Sequence, residues 1–436
     1  MEWYEAGMLM LGMAMSLIFL GLPVAFAFLT ANIVGAWIFL GGMGGLEQIV
    51  ANATRSISNF RLVPVPMFIM MGALFYHTGL AVKVFDALDA LFGRIPGRLC
   101  FVTVAGGTIF ATLSGSSLAN TAMMGSLLVP EMIDRGYKKK MAMGPILGSA
   151  GIAILIPPSA LAVLLGSLAE IDIGKLLIAG VIPGLILGVL YTVLIFILTR
   201  IDPDCAPVYD VERISLRVKI LIVLTNILPM GLVFFFVIGF IVLGIATPVE
   251  SAAFGVLGVL ILTVVYRKLT WQAIKQSLTS ALRVTIMVLM ILLGSLTFSQ
   301  IMAFSGATAG MVEWATQFEL TPLVMLLIMY AVLLILGMFV DAVSTMMLTL
   351  PIFMPLAAAL GFDPVWFGII ILLSIEMSGT TPPFGLLLFI MMGVAPKGTT
   401  LSEVAWAASP YLLCDLILFI LLLIFPAIAL YLPSLI

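Results

Sequence analysis

Two proline pairs, Pro157-Pro158 and Pro382-Pro383, lie 225 residues apart, and each interrupts a long apolar run. Proline removes a backbone donor and stops a helix from continuing. Inside lipid, broken backbone is tolerated only where protein or a watery cavity covers it. Two broken helices at matching positions in two halves of one chain indicate the binding site of a secondary transporter.

The composition is that of a polytopic membrane protein. Of the 436 residues, 63% are hydrophobic and only 9% are charged, whereas a soluble protein carries about 25% charged residues. The first twenty residues contain Glu2 and Glu5 but no Lys or Arg, so we interpret them as the first span rather than as a signal peptide. The net charge of -2 says little about nucleic acid, but no basic cluster is interleaved with aromatics, and we expect no nucleic-acid partner.

Several enzyme classes are disfavoured by the residues that the chain lacks. Cys100, Cys205 and Cys414 are too few and too scattered for a disulfide framework or a thiolate metal site. His77 is the only histidine, and one histidine cannot build a zinc site of the usual type. No GxxxxGK[ST] sequence occurs, so ATP hydrolysis by a P-loop is excluded. We therefore expect neither an enzyme nor an organic cofactor.

The proline pairs set an offset at which the two halves can be compared. At this offset Pro23-Val24 matches Pro248-Val249, and Pro130 matches Pro355. The hydropathy of each half follows one order: two spans, a surface helix, a span, an apolar hairpin, a broken span and a final span. We therefore predict an all-α membrane protein built from two repeats.

The predicted boundaries follow from the apolar runs. Residues 1–200 form the first repeat, with scaffold helices over 6–80, a surface helix at 82–92, a hairpin at 99–134, a broken helix at 142–167 and a helix at 174–198. Residues 201–218 form a cytoplasmic linker. Residues 219–436 form the second repeat, with scaffold helices at 219–266, a surface helix at 268–282, a helix at 284–304, a hairpin at 322–360, a broken helix at 365–394 and a helix at 404–431. The hairpin arms are short for a span of about 20 residues, so we predict that both hairpins are re-entrant.

The charges predict how the chain is oriented. Five full crossings per half, about ten in all, make the second repeat inverted, and they place both termini on the same side. With the termini on the periplasmic side of an inner membrane, sixteen of the nineteen Lys and Arg residues face the cytoplasm, a strong positive-inside signal. Only Arg55, Arg61 and Lys175 fall outside.

Hydroxyl and amide side chains crowd the tip of the first hairpin, at Ser114, Ser116, Ser117, Asn120 and Thr121. A helix that ends within the membrane exposes carbonyls, and one that begins there exposes N–H groups. Carbonyls with hydroxyl oxygens suit a hard cation, and helix N-termini suit a carboxylate. The alternative is that these small residues only allow helices to pack closely.

Asp341 and Glu376 are the two carboxylates to which we assign a possible function. Asp341 lies at the tip of the second hairpin, and Glu376 precedes the second helix break. A carboxylate is costly in an apolar span, so either residue could bind a cation, carry a proton or hydrogen-bond a helix end. Glu250 is better explained as a helix N-terminal acid, and Asp415 has no assigned role.

Two other functional classes are alternatives to a transporter. Ser116 in a glycine-rich turn, with His77 elsewhere, suggests an intramembrane serine hydrolase, but nothing in the sequence brings the two side chains within hydrogen-bond reach. That reading also leaves the second hairpin unexplained. A channel does not require inverted broken helices, although it does not forbid them.

At these residues the chain resembles the large membrane subunit (M, or DctM-like) of a TRAP transporter, a tripartite ATP-independent periplasmic carrier. The resemblance extends nearly end to end. Its most specific segments, in order, are SGSSLANTAMMGSLLVPEMIDRGY (114–137), IPPS (156–159), AGVIPGL (179–185), ATPVESAAFG (246–255), PIFMPLAAALGFDPVWFG (351–368) and TPPFGLLLF (381–389).

The resemblance implies an elevator-type secondary transporter of the ion-transporter superfamily, coupled to more than one sodium ion. It assigns the first sodium site to Ser114, Ser116, Gly151, Ile154 and Pro157. It assigns the second to Gly337, Val340, Asp341, Gly379, Thr380 and Pro382. Substrate would lie between the hairpin tips, near Ser117, Asn120, Ser159, Thr345 and Thr381.

The resemblance also implies partners: a small four-helix membrane (Q) subunit and a periplasmic substrate-binding (P) protein. Family substrates are small organic anions such as dicarboxylates, sialic acid or sugar acids. Ser374 and Leu387 stand where many relatives have asparagine, so side-chain contacts at the second site cannot be transferred by analogy. The alternative is a standalone sodium- or proton-coupled symporter of the same superfamily.

Overall fold

In the computed structural model, the backbone is described for residues 1–114, 117–209 and 215–435. Side chains are described for the same residues except 56, 57, 61, 111–114, 119 and 295. Within this part of the chain the regular structure is helical and no strand occurs.

Eleven α-helices precede the linker. In chain order they are α1 Trp3–Phe19, α2 Val24–Phe39, α3 Met43–Ile57, α4 Pro64–His77, α5 Leu80–Leu91, α6 Arg98–Ser114, α7 Ser117–Asp134, α8 Lys139–Leu155, α9 Ala160–Leu168, α10 Ile173–Ala179 and α11 Val181–Ile201.

Eleven more follow it. They are α12 Leu216–Ile222, α13 Leu228–Val242, α14 Pro248–Val265, α15 Trp271–Phe304, α16 Ala307–Thr316, α17 Pro322–Phe339, α18 Ala342–Ala359, α19 Pro364–Thr380, α20 Leu386–Val394, α21 Leu401–Ile424 and α22 Ala427–Leu430. A π-helical turn, Val223–Ile227, joins α12 to α13.

The helix boundaries repeat at the spacing of the proline pairs. Helices α7 and α18 begin and end 225 positions apart, and so do α8 and α19. Each of the latter two stops just before a proline pair whose internal peptide bond is cis, and a shorter helix, α9 or α20, continues beyond the break. The two halves therefore have matching helix–break–helix segments.

The helices form two bodies that touch. In the hairpin body, α6 and α7 pack on α8, α17 and α18 pack on α19, and α8 packs on both α19 and α21. In the scaffold body, α15 packs on α2, α3 and α4, and α14 packs on α4 and α13. Helix α8 is buried from Met141 to Leu155, as expected for an apolar helix at the centre of a body.

Glycines allow the central helices to approach closely. A Cβ on Gly144 would lie 2.7 Å from an atom of Tyr411 of α21, and one on Gly148 would lie 2.4 Å from the same ring. Both positions lie on one face of α8, four residues apart, the small-xxx-small spacing typical of close helix pairs in membranes. The aromatic side chain of α21 therefore fills the groove that these glycines leave.

Buried polar side chains tie the first-half scaffold helices to α15. The Asn52 amide donates to Gln300 Oε1 at 2.6 Å, and the Asn32 amide donates to the Gly294 carbonyl at 2.7 Å. Both asparagines are buried, so these bonds satisfy groups that would be costly to leave unpaired in an apolar surrounding.

The second scaffold differs from our prediction in one respect. The surface helix predicted at 268–282 and the span predicted at 284–304 are one continuous helix, α15, of 34 residues. No proline interrupts this stretch, so the change from polar to apolar surface does not end the helix. Helix α16, which the sequence analysis did not assign, follows it in the place that α5 holds after α4.

Seven helices in the described part of the chain are long and apolar enough to cross a membrane, and nine if each of two bent pairs forms one span. The bent pairs are α4 with α5, at 65°, and α8 with α9, at 43°. Four other apolar helices, among them α1 and α2, are shorter, with 10–17 residues. The molecule is therefore a multi-pass membrane protein.

Candidate functional site

A cavity of about 770 Å³ lies where the two bodies meet. One wall comes from the hairpin body: the start of α7, the tip of the second hairpin and the helix ends that flank both breaks. The opposite wall comes from α2, α4 and α15 of the scaffold body. Residues that line it include Pro23, Phe26, Ile69, Ser117, Leu118, Ile154, Leu161, Val288, Gly337, Val340, Asp341, Glu376, Gly379 and Leu387.

Helix ends of both polarities line this cavity. Four helices begin at its wall: α7 at Ser117, α9 at Ala160, α18 at Ala342 and α20 at Leu386. Three helices end there, α8 near Ile154, α17 near Gly337 and α19 near Gly379. Helix N-termini carry partial positive charge and C-termini partial negative charge, so the cavity can receive an anionic group and cations at different points.

The Glu376 carboxylate forms part of the cavity wall. Its residue is only 3% exposed, and Oε2 has no hydrogen-bond partner within the described structure. The side chain lies directly against Gly151 of α8, where an added Cβ would be 1.7 Å from Oε1. The hydroxyl of Ser117 lies beside this carboxylate. Glu376 therefore bridges the second helix break to the tip of the first hairpin.

Asp341 has a different environment. Its carboxylate accepts hydrogen bonds from the backbone N–H groups of Val343 and Ser344, at 3.0 and 3.3 Å, and from the Ser344 hydroxyl. These bonds cap the N-terminus of α18, a favourable place for a negative charge. Asp341 is nevertheless exposed and lines the cavity, so its charge also acts on whatever enters.

No cationic side chain lines the described wall of this cavity. The wall carries two carboxylates, Asp341 and Glu376, and the rest is largely apolar. Nor does the described part of the chain contain a cluster of three or more His, Cys, Asp or Glu side chains that could hold a metal ion. The described part of the wall therefore offers helix ends, hydroxyls and carboxylates as its polar groups.

Comparison with known proteins identifies the family. Residues 11–428 match the DctM component of tripartite ATP-independent periplasmic transporters. The C4-dicarboxylate TRAP transporter large permease of Pseudomonas aeruginosa is 32% identical over 91% of this chain and 92% of its own. The chain belongs to the DctM family.

Two further relatives in this family have different named substrates. The ectoine TRAP transporter large permease of Halomonas elongata is 31% identical over 98% of this chain and 99% of its own. The sialic acid TRAP transporter large permease of Vibrio cholerae is 30% identical over 97% of each chain. These proteins are transporter permeases and not enzymes, so this DctM-family chain is a transporter subunit.

A solved structure has a similar fold. The YdaH transporter of Alcanivorax borkumensis matches with a TM-score of 0.60 over 91% of this chain and 89% of its own, at 16% sequence identity. At this identity the likeness concerns the fold alone.

In this DctM-family chain, several residues of the predicted first sodium site lie near the cavity. Ile154 lines it, Gly151 lies behind Glu376, and Pro157 is buried within the first break. Ser116 lies outside the described residues. Ser114 ends α6, but its side chain is outside the described part.

Of the predicted second sodium site, Gly337, Val340, Asp341 and Gly379 line the cavity. Thr380 does not line it, and its hydroxyl donates to the Met377 carbonyl at 3.1 Å. Pro382 borders a separate cavity of about 440 Å³. The break and the hairpin tip therefore meet, with Thr380 and Pro382 set back from the meeting point.

The predicted substrate residues divide in the same way. Ser117 lines the cavity, whereas Asn120, Ser159, Thr345 and Thr381 are not among its lining residues. Ser159 Oγ accepts the Ala162 N–H at 3.2 Å and caps α9. The Thr345 hydroxyl donates to the Asp341 carbonyl at 3.0 Å, and that of Thr381 to the Met377 carbonyl at 2.6 Å. These three hydroxyls hold backbone in place.

Two features were missed by sequence reasoning. The scaffold wall of the cavity, including Pro23 and Val288, lies far from the hairpins in sequence. The repeated Pro-Val sequence at residues 23 and 248 was the one sequence signal that could have indicated this wall. Asp415, which had no assigned role, is buried and accepts a hydrogen bond from the Tyr191 hydroxyl of α11.

The serine hydrolase alternative finds no support in the position of His77. Its imidazole Nε2 lies 3.1 Å from the Ser280 hydroxyl of α15. That contact joins α4 to α15 within the scaffold body, and His77 is not among the lining residues of the cavity.

Proposed function

We propose that this chain is the large transmembrane subunit of a sodium-coupled tripartite transporter that imports a small organic anion with a carboxylate group. One observation carries the proposal: the start of α7, the tip of the second hairpin and the helix ends that flank both breaks line a single cavity, and the scaffold body closes its opposite side. The volume of about 770 Å³ is within the usual range for small-molecule sites.

Sodium ions would bind where helices end. The C-terminal ends of α17 and α19 approach the cavity at Gly337 and Gly379, and that of α8 at Ile154. Unsatisfied carbonyls at such ends offer the oxygen ligands that hard cations prefer. The substrate carboxylate would lie nearby, at the N-termini of α7 and α20, because these ends favour negative charge.

Transport would occur by an elevator movement, in which the hairpin body slides past the scaffold body. The division of contacts supports this proposal, since each body has its own buried helices and the cavity lies between them. Both hairpins would be re-entrant, because their tips line an internal cavity rather than an outer surface. The second repeat would be inverted with respect to the first.

The partners follow from the family. A small four-helix membrane subunit would enlarge the scaffold body, and a periplasmic substrate-binding protein would deliver the substrate. The complex would lie in the inner membrane with both termini of this chain on the periplasmic side, as the positive-inside distribution of Lys and Arg favours.

The sodium proposal is tested by the thermal stability of the purified protein in sodium chloride and in equimolar potassium chloride. A bound ion stabilises the folded state by RT ln(1 + [L]/Kd), about 2.7 kcal/mol at a hundredfold excess over Kd. We expect a sodium-specific rise that Ser116→Ala diminishes. Ser126→Ala is the matched control, because Ser126 lies exposed on α7 and its hydroxyl donates to the Met123 carbonyl.

Equal stability in the two salts, up to several hundred millimolar, would contradict sodium coupling. Proton coupling would then become the leading alternative, with Asp341 or Glu376 as the carrier. Uptake of substrate into proteoliposomes with both partner proteins present tests the tripartite assembly. Full uptake without them would favour a standalone symporter.

A further inference from the structure

The turn between α14 and α15 carries a cluster of positive charge. We propose that this turn and the first turns of α15 form a docking surface for an anionic phospholipid, whose phosphate group pairs with Arg267, Lys268 and Lys275. We call these three residues the basic corner. The inference goes beyond the proposed transport function and uses only the proposed orientation, which places the basic corner at the cytoplasmic leaflet.

Positive charge dominates the sequence around the turn. Residues 251–312 contain four basic residues and no Asp or Glu. The basic residues are all exposed, and they are Arg267, Lys268, Lys275 and Arg283. No acid of the same stretch can neutralise them, so this surface attracts anionic groups. Clusters of Lys and Arg beside a membrane bind anionic lipids in this way.

Basic residues elsewhere in the molecule are neutralised by ion pairs. At the base of the hairpins and the start of α8, carboxylate oxygens lie within 3.2 Å of Arg98, Arg135, Lys138, Lys139 and Lys140. In the part of the chain that the structure describes, no such pair includes a residue of the basic corner. The charge of the corner is therefore available to a ligand.

Arg267 occupies a backbone conformation that favours glycine. Its φ is 54°, in the left-handed region, just after the C-terminal end of α14. The Arg267 N–H donates to the Val264 carbonyl at 2.9 Å, in a helix ending that usually has glycine at this position. Gly42, the equivalent residue 225 positions earlier, has a φ of 65°. A charged side chain at an unfavourable φ indicates a role for the side chain itself.

Contacts beneath the turn fix its backbone. The Tyr266 hydroxyl donates to the Thr225 carbonyl in the π-helical turn, and the Lys83 ammonium of α5 lies 4.1 Å from the centre of the Tyr266 ring. On the other side, the Thr270 hydroxyl oxygen accepts the Ala273 N–H at 3.1 Å and caps α15. The backbone between these anchors is therefore preformed, which lowers the entropy cost of binding.

The first turns of α15 present apolar side chains next to the basic corner. Trp271, Leu278 and Leu282 are 79%, 48% and 50% exposed, and their spacing, with Lys275, places them on one face of the helix. Helix α15 has 34 residues and is about 51 Å long, longer than the hydrocarbon core of about 30 Å, so its polar first turns extend into the headgroup region. A tryptophan at that level is typical of the membrane interface.

A lipid fits this combination better than a soluble anion or a protein partner. Its phosphate would pair with the basic corner, and its acyl chains would lie along Leu278 and Leu282. A soluble anion would use the charges but leave the apolar face uncovered. A protein partner would have to supply acidic and apolar groups together at one level of the membrane.

The test compares the thermal stability of the full-length purified protein in uncharged detergent with phosphatidylglycerol or phosphatidylcholine added at equal mole fraction. We expect phosphatidylglycerol to raise the unfolding midpoint by at least about 2 °C over phosphatidylcholine. High salt should reduce this difference, because screening weakens exposed charge pairs. Glycerol 3-phosphate, a soluble phosphate ester, should give no such rise.

Arg267→Gly separates the charge of the side chain from its effect on the fold. Glycine suits the left-handed φ, so this variant should keep or raise the midpoint in phosphatidylcholine and lose part of the rise with phosphatidylglycerol. The triple variant Arg267→Gly, Lys268→Gln, Lys275→Gln should lose most of the rise. A purely structural role of Arg267 would instead lower the midpoint in both lipids.

Lys397→Gln is the matched control. It removes one exposed positive charge from the loop between α20 and α21, on the same predicted side of the membrane, and it should keep the full rise with phosphatidylglycerol. None of these comparisons involves sodium or substrate, so their outcome is independent of the proposed transport function.

Four outcomes would overturn the inference: equal midpoints of the wild type in the two lipids, an equal rise with glycerol 3-phosphate, an unchanged rise in the triple variant, or the same loss in Lys397→Gln as in Lys268→Gln. Equal midpoints in the two lipids, together with stabilisation by a co-purified small membrane subunit, would assign the surface to that partner instead.

Discussion

The carboxylate of Glu376 occupies the space that the missing side chain of Gly151 leaves open. A Cβ on Gly151 would lie 1.7 Å from Oε1 and 2.0 Å from Cδ of Glu376. The two residues hold equivalent positions in the repeat, 225 residues apart, on α8 and α19. A side chain on one helix thus requires glycine on the other, and the site is asymmetric although the backbone repeats.

Gly151→Ala is therefore expected to destabilise the protein by about 1–3 kcal/mol, the usual cost of overpacking a core. Both helices are buried on their neighbours, so neither can move away freely. Glu376→Ala should relieve the conflict, so that the double variant is less destabilised than the sum of the single variants. Thermal unfolding in detergent gives the change in stability of the two single variants and of the double variant, which together form a double-mutant cycle.

Gly231→Ala is the matched control for Gly151→Ala. Gly231 lies in helix α13, and a Cβ there meets nothing within 4 Å. Its substitution should be neutral or slightly stabilising, because alanine favours a helix more than glycine does. Equal effects of the two substitutions would contradict the close packing of Glu376 on Gly151.

Two substitutions of Asp341 separate its role as a helix cap from the effect of its charge. Asparagine is about as good an N-cap as aspartate, whereas replacement by alanine costs about 0.5–2 kcal/mol. We expect Asp341→Asn to keep the stability measured in potassium chloride but to lose part of the sodium-specific rise. Asp341→Ala should lose both. An unchanged sodium effect in Asp341→Asn would show that the charge is not needed for cation binding.

The hydrogen bond between Tyr191 and Asp415 joins α11 of the first half to α21 of the second. Both residues are buried, so Tyr191→Phe should leave the carboxyl group without this donor and cost about 1–3 kcal/mol of stability. Tyr411→Phe is the control. Tyr411 lies on α21, as Asp415 does, and its buried hydroxyl has no hydrogen-bond partner in the described structure. The two unfolding midpoints should differ clearly, and similar midpoints would mean that the bond contributes little.

Asp202 links the linker to the base of the first hairpin through Lys138 and Lys140, at 2.8 and 3.2 Å. Hydrogen bonds, first from Lys138 and then from Lys140, lower the pKa of Asp202 below its usual value of 3.8. A lowered pKa means that the linkage stabilises the fold above pH 3.8 and is lost as the pH falls through the lowered value.

The measurement for this linkage is hydrogen exchange at the Lys138 amide, which donates to the Cys205 carbonyl at 3.0 Å. At neutral pH the amide should exchange faster in Asp202→Asn than in the wild type. Below the lowered pKa the exchange rates of the two proteins should converge, because the side chain at position 202 is then neutral in both. A difference that persists in acid would require another cause.

Much of the architecture could be predicted because its signals are local. Apolar runs mark the helices, and the proline pairs mark the breaks, since proline removes a donor at the position where it stands. The predicted hairpin arms and broken helices agree closely with α6 to α9 and α17 to α20. The continuous helix α15 was not predicted, because a change of polarity along a helix does not by itself end it.

The sequence alone therefore determined that the chain is a membrane protein of two similar halves, and where each half is interrupted. Only the tertiary structure decided which side chains share a cavity: Glu376 rests on Gly151, Asp415 accepts from Tyr191, and scaffold residues such as Val288 close the site. The physical reason is that hydropathy and proline act along the chain. Contacts between distant helices depend on which faces pack together, and a uniformly apolar helix such as α8 or α19 carries no periodic pattern that would reveal its partner.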